Sequence, residues 1–136
     1  MHDDIVNRRD IEDRIDELES ERDEFLDKTC EEAKLDEIDD GYDELREETA
    51  LIWEKQTPEG EEWRTLTDVL EEMGSADYIV SEDHFPAYVE ELLKDCGDIP
   101  RNFPWYIEID WEATAKNVRQ DYSELEWDGH TYLYRD

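Results

Sequence analysis

SELEWDGHTYLY, Ser123 to Tyr134, decides the β half of the fold. Asp128-Gly129 supplies the two positive-φ positions of a type I′ turn, and the flanking residues alternate, so the stretch reads as a two-residue β-hairpin. Pairing across the turn sets Trp127 against His130 and Leu125 against Tyr132 on one face, with Glu124 and Glu126 on the other. A hairpin with one apolar face is not stable alone and needs a partner layer.

Reading back toward the N-terminus supplies that layer. Asp110 is placed to cap a helix from Trp111 to about Arg119, following the apolar stretch Trp105 to Ile109 and the loop Pro100 to Pro104. Ser81 reads as the N-cap of another helix, with Pro86 tolerated in its first turns. That helix turns Tyr88, Val89, Leu92 and Cys96 inward, shows Glu90, Glu91 and Asp95 outward, and stops at Gly97. Tyr78-Ile79-Val80 reads as a short buried strand. Trp63, Leu66, Leu70 and Met73 mark a short amphipathic helix ending at Gly74. The expected core is Trp63, Leu70, Tyr88, Leu92, Trp105, Ile109, Trp111 and Trp127.

Thr57-Pro58-Glu59-Gly60 is a break, because proline disfavours a helical residue before it and glycine tolerates the turn. On its N-terminal side the pattern becomes purely helical. Ile11, Ile15, Leu18 and Phe25 recur at spacings of four and three, with Arg22 filling the missing step. Leu35, Ile38, Tyr42, Leu45 and Ile52 continue that rhythm, with Thr49 at the polar gap. Two such stripes fit an antiparallel helical hairpin that turns between Thr29 and Asp40, or helices that pair across a homodimer. The sequence therefore predicts an α+β fold: an acidic helical arm over 1–56, then a compact mixed domain over 57–136 that ends in the β-hairpin.

Charge dominates the composition. The chain has 136 residues and carries 44 Asp and Glu against 14 Lys and Arg, a net charge of −30. Such a surface repels nucleic acid and anionic lipid and attracts the basic grooves that bind them. Direct binding to nucleic acid and to membranes is therefore excluded as an expectation. No segment approaches the roughly 18 apolar residues of a membrane span, and the acidic start MHDDIVNRRD lacks the pattern of a signal peptide, so the expected location is cytoplasmic. Cys30 and Cys96 have no metal-ligand spacing and read as idle thiols.

Motifs for catalysis are absent from the reading: no GxSxG, GxGxxG, P-loop or HExxH occurs, and His2, His84 and His130 are isolated. Asp39-Asp40-Gly41 lacks the register of a calcium loop. The expectation is a protein without catalytic residues, metal or cofactor. Its acids are instead regularly placed. Glu12, Asp16, Glu19 and Asp23 run at spacings of four and three beside the first apolar stripe, and Asp40, Glu44 and Glu47 repeat the rhythm in the second. Helical neighbours three or four apart lie about 5–6 Å from each other, near the spacing of phosphates on a nucleic-acid strand. With Glu90 and Glu91, these are the candidate partner-binding anions of a DNA mimic.

HFPAYVEELLKDCGDIP (84–100), YIEIDWEATAKNVRQDY (106–122) and ELEWDGHTYLYR (124–135) resemble the last part of ArdA-type antirestriction proteins and related small phage or plasmid proteins. MHDDIVNRRDIEDRIDELE (1–19) is similar to the opening of such phage-encoded proteins. The resemblance covers about the last 60 residues, and a helical arm stands where the family has N-terminal and central α/β parts. It implies a DNA mimic from a mobile element that occupies the DNA site of a restriction-modification enzyme in the host cytoplasm; another DNA-handling defence complex, such as a CRISPR effector, fits the same chemistry. Two structural readings compete with it: a halophilic domain whose acids hold water and salt, and a coiled-coil scaffold that self-associates through its first helices.

Overall fold

The structure, a computed structural model, describes residues 2–99, 102 and 104–136. These form five α-helices and a four-stranded antiparallel sheet, an α+β fold as expected. They divide into two compact units: residues 9–71, and the residues up to Arg8 together with Glu72–Asp136. The division thus falls after Glu71, where the sequence places it after Gln56.

The helical unit contains α1 (Arg8–Glu32), α2 (Tyr42–Gln56) and α3 (Pro58–Glu72). Along α1 the buried residues are Ile11, Leu18, Leu26 and Cys30, whereas Phe25, expected in the stripe, is exposed. A straight helix drifts about 20° per heptad against a 3.5-residue repeat, so past Leu18 the inner face advances in steps of four. The same drift buries Thr49 and Trp53 in α2 and leaves Ile52 outside.

The second helix begins at Tyr42 and not near Leu35. Asp39 uses its carboxylate to accept the Asp36 N–H at 2.8 Å, and Gly41 adopts φ +87°, so local side-chain bonding and a left-handed residue replace helix there. Ile38 is consequently 94% exposed.

Thr57-Pro58 proves to be a joint inside the helical unit. Thr57 is extended, its hydroxyl accepts the Gly60 N–H at 3.0 Å, and its own N–H donates to the Trp53 carbonyl at 3.3 Å. Pro58 begins α3, the position where its missing N–H costs nothing. The break expected from Pro and Gly is present, but α3 resumes the helical arm. Asp27 of α1 meets Arg46 of α2, and Arg14, half a helix earlier, meets Glu62 of α3. Both segments thus form the return arm against α1.

The sheet unit has strand order β1-β2-β4-β3, with β1 (Ile5–Asn7), β2 (Tyr78–Ser81), β3 (Ser123–Trp127) and β4 (His130–Tyr134). Asp128 and Gly129 both have positive φ, and the register Trp127↔His130 and Leu125↔Tyr132 is the expected one. The sequence does not predict β1: three residues give no alternation to read, and only its antiparallel pairing with β2, Ile5 to Val80, Val6 to Ile79 and Asn7 to Tyr78, defines it.

On one sheet face, Val80 and Leu133 pack with Phe85, Val89 and Ala115 from α4 (Phe85–Asp95) and α5 (Trp111–Arg119). The other face carries Val6, Ile79, Leu125, Trp127 and Tyr132, all buried. Asp110 caps α5 by accepting the Ala113 N–H at 3.1 Å. Gly97, at φ +75°, closes α4, with the Asp98 N–H reaching the Leu93 carbonyl. Ser81 instead precedes a single 3₁₀ turn, Glu82–His84, and makes no side-chain cap.

Of the expected core, Trp127 is buried, while Trp63, Leu70, Tyr88, Leu92, Ile109 and Trp111 are half-buried. Trp105 is 92% exposed, and Cys96 is exposed rather than inward. The stretch from Trp105 to Ile109 finds no strand partner; a turn closed by the Ile107 N–H on the Pro104 carbonyl, 3.0 Å, holds Trp105 at its tip. Of the loop expected over 100–104, Pro100, Arg101 and Phe103 lie outside the described residues. Among the described residues, no helix is long and apolar enough to cross a membrane.

Candidate functional site

The helical unit holds 26 acidic against 8 basic residues, a net charge of −18 over 63 positions. Three of its arginines are turned toward the seam between helices. Arg14 donates from Nε and Nη2 to the two carboxylate oxygens of Glu62 at 2.7 and 3.0 Å, and from Nη1 to Glu17 at 3.0 Å. Arg22 lies 5.6 Å above the Trp63 ring, 3.6 Å from the Glu19 carboxylate. Arg46 donates to Asp27 at 2.8 Å and sits over the Tyr42 ring. Hydrogen bonding to Glu62, then to Glu17, raises the Arg14 pKa, and bonding to Asp27 raises that of Arg46, so both charges are firmly held. Their long stems lie in the seam and their heads neutralise carboxylates close to it.

Most of the remaining acids face outward. Helix α1 carries twelve carboxylates along about 37 Å of its axis, counting Glu17, Glu19 and Asp27 that meet arginines, or one per roughly 3 Å, while a DNA strand carries one phosphate per about 3.4 Å of duplex axis. Glu12, Asp16 and Asp23 are exposed and Glu19 is half-buried against Arg22, all on one side of the helix. Glu44 and Glu47 are exposed on α2. Asp40 is exposed too, but it lies in the turn before Gly41, so the second ladder begins at the helix start and lacks that rung. Glu91 is exposed on α4, where Glu90 is bonded by Lys94 Nζ at 2.9 Å. The structure therefore gathers six of the nine candidate anions onto α1 and α2, puts Asp40 in the turn beside them, and sets Glu90 and Glu91 in the sheet unit.

Sequence reasoning passed over one further feature and misplaced another. Within the sheet unit a cleft of about 420 Å³ is lined by Tyr78, Tyr88, Tyr122 and Tyr134, with Asp77 and Asp136 beside them. The Tyr88 hydroxyl bonds those of Tyr78 and Tyr122, and burial, helped by these bonds, raises its pKa, keeping it protonated. Nothing in sequence spacing joins tyrosines so far apart. The second feature is the Trp105 turn, for which Pro104 was the available signal. Among the described residues, no group of three or more His, Cys, Asp or Glu is arranged to hold a metal ion.

Compared with protein-family models, curated proteins and solved structures, the chain matches none.

Proposed function

We propose that this protein is a DNA mimic from a mobile element, which binds the DNA site of a host restriction-modification or CRISPR protein and so blocks it, acting in the host cytoplasm by binding rather than by catalysis. The observation that carries the reading is the sorting of charge in the helical unit: Arg14, Arg22 and Arg46 are drawn into the seam, while α1, at near-phosphate density, and α2 turn most of their carboxylates to solvent. A basic groove that meets this surface exchanges its phosphate contacts for carboxylate contacts, so the same residues cannot hold DNA as well. Association is fast at low ionic strength and weakens steeply with salt. The resemblance of the last 60 residues to antirestriction proteins points the same way.

The test titrates the protein into a purified type I restriction-modification enzyme, and in parallel into a CRISPR effector, each bound to labelled duplex. DNA should be displaced from at least one, with affinity falling as salt rises. Replacing Glu12, Asp16, Glu19, Asp23, Asp40, Glu44 and Glu47 by their amides should weaken displacement by orders of magnitude while the fold persists. A ternary complex with DNA, or full activity of that variant, overturns the reading. Loss of the native fold of the unaltered protein at low salt favours the halophilic alternative instead.

A further inference from the structure

Trp105 and Tyr106 are 92% and 70% exposed, and Ile107 beside them is exposed too. Their turn is a defined one, closed by the Ile107 N–H on the Pro104 carbonyl and followed at once by Asp110, whose side chain caps α5. The two rings stand 5.8 Å apart at 84°, edge to face, so they do not stack flat on each other. A contiguous aromatic pair left in water by a chain with few apolar residues to spare marks a surface that is covered in use.

Charge decides what covers it. Glu108, Asp110 and Glu112 follow the rings directly and are all exposed. A second copy of a chain with net charge −30 is repelled, and so is an anionic lipid surface. The occupant is a cationic protein with an apolar slot next to its anion-binding groups. A flat aromatic ring followed by a run of anions has the chemical form of a base followed by phosphates. Proteins that handle extruded or single-stranded bases provide that complement: aromatic or apolar walls that grip a ring, beside a basic track for the backbone.

We infer that the Pro104–Ile107 turn is an aromatic plug, Trp105 with Tyr106, that enters the pocket in which the target protein receives an unstacked base. This rests on the DNA-mimic reading and narrows the partner to proteins that extrude or stack bases. The test uses the full chain and whichever of the two enzymes above it displaces from DNA. Replacing both Trp105 and Tyr106 by Ala should leave the melting temperature unchanged and lower affinity tenfold or more at every salt concentration, without altering the slope of log affinity against log salt; Trp105→Phe should recover much of the loss. Trp105→p-benzoylphenylalanine should photo-crosslink to residues lining the base pocket. Displacement that is unaffected by the double Ala variant, or a crosslink outside that pocket, overturns the plug and leaves the mimic reading standing. A dimer by sedimentation that requires Trp105 also overturns it. If neither enzyme is displaced by the unaltered protein, both inferences fall.

Discussion

Arg14 and Glu62 are joined by two parallel hydrogen bonds, Nε to Oε2 at 2.7 Å and Nη2 to Oε1 at 3.0 Å, although 48 residues separate them in sequence. The fork fixes α3 against the N-terminal half of α1, a geometry that lysine cannot reproduce. Both side chains remain partly exposed, which limits the pair's worth to about 1 kcal/mol. A double-mutant cycle of Arg14→Met and Glu62→Gln should give a coupling energy near that value, shrinking at high salt; Arg14→Lys should lose most of it.

Gly60 should not tolerate alanine. In a helix interior this exchange ordinarily stabilises by up to about 1 kcal/mol. Here the new Cβ would lie 1.9 Å from the Trp53 carbonyl oxygen and 2.7 Å from Glu54 backbone atoms, none of which is a flexible side chain. Gly60→Ala should therefore destabilise by about 1–3 kcal/mol or more. Chemical denaturation measures it, and a stabilised variant would show that α2 and α3 do not approach this closely.

Trp127 is buried on the sheet face it shares with Leu125 and Tyr132. Trp127→Ala should cost about 3–5 kcal/mol, read as a lowered melting temperature with loss of strand signal. An unchanged transition would mean that this face is open to solvent.

Local chemistry was what the sequence disclosed. The turn at Asp128-Gly129, the cap at Asp110 and the stop at Gly97 each depend on residues within a few positions, and each was legible. Features set by distant partners were not: residues 5–7 become a strand only by pairing with β2, and α3 joins the helical arm through contacts such as Glu62 with Arg14 and Trp63 with Arg22. Periodicity located the first helix but missed the shift from Phe25 to Leu26, since a fixed heptad rhythm ignores the drift of a real helix. For the candidate site, the outward carboxylates of Glu12, Asp16 and Asp23 followed from spacing. Asp40 falls off the helix because the Asp39 carboxylate accepts the Asp36 N–H and Gly41 turns left-handed. Trp105 was assigned inward because an aromatic residue does not itself say which side of the surface it occupies.

Stability should decline on the alkaline side because of Tyr88. Burial, with hydrogen bonds to Tyr122 and Tyr78, raises its pKa above the ordinary phenol value of about 10. The contribution is fully present below that ordinary value and is lost as pH rises beyond it, because the unfolded phenol ionises while the folded one keeps its proton. Urea denaturation at about pH 9, 10 and 11 should show the decline, and Tyr88→Phe should make it shallower. A decline equally steep in that variant would assign it to other groups.

The central strand β4 is formed by residues 130–134, yet its sheet also needs β1 at residues 5–7. A ribosome releasing this chain therefore delivers the first strand long before the strand that completes the sheet. Residues 9–71 leave the exit tunnel as a finished stretch and can fold by contacts made within it. The edge of β2 that meets β4, at Val80 and Ser81, must wait unpaired until Tyr132 and Leu133 emerge. Closing such long-range pairs late makes folding slow compared with a simple helical bundle. During that interval the dense negative charge of the nascent chain makes neighbouring chains on one message repel each other, which keeps unpaired strands apart.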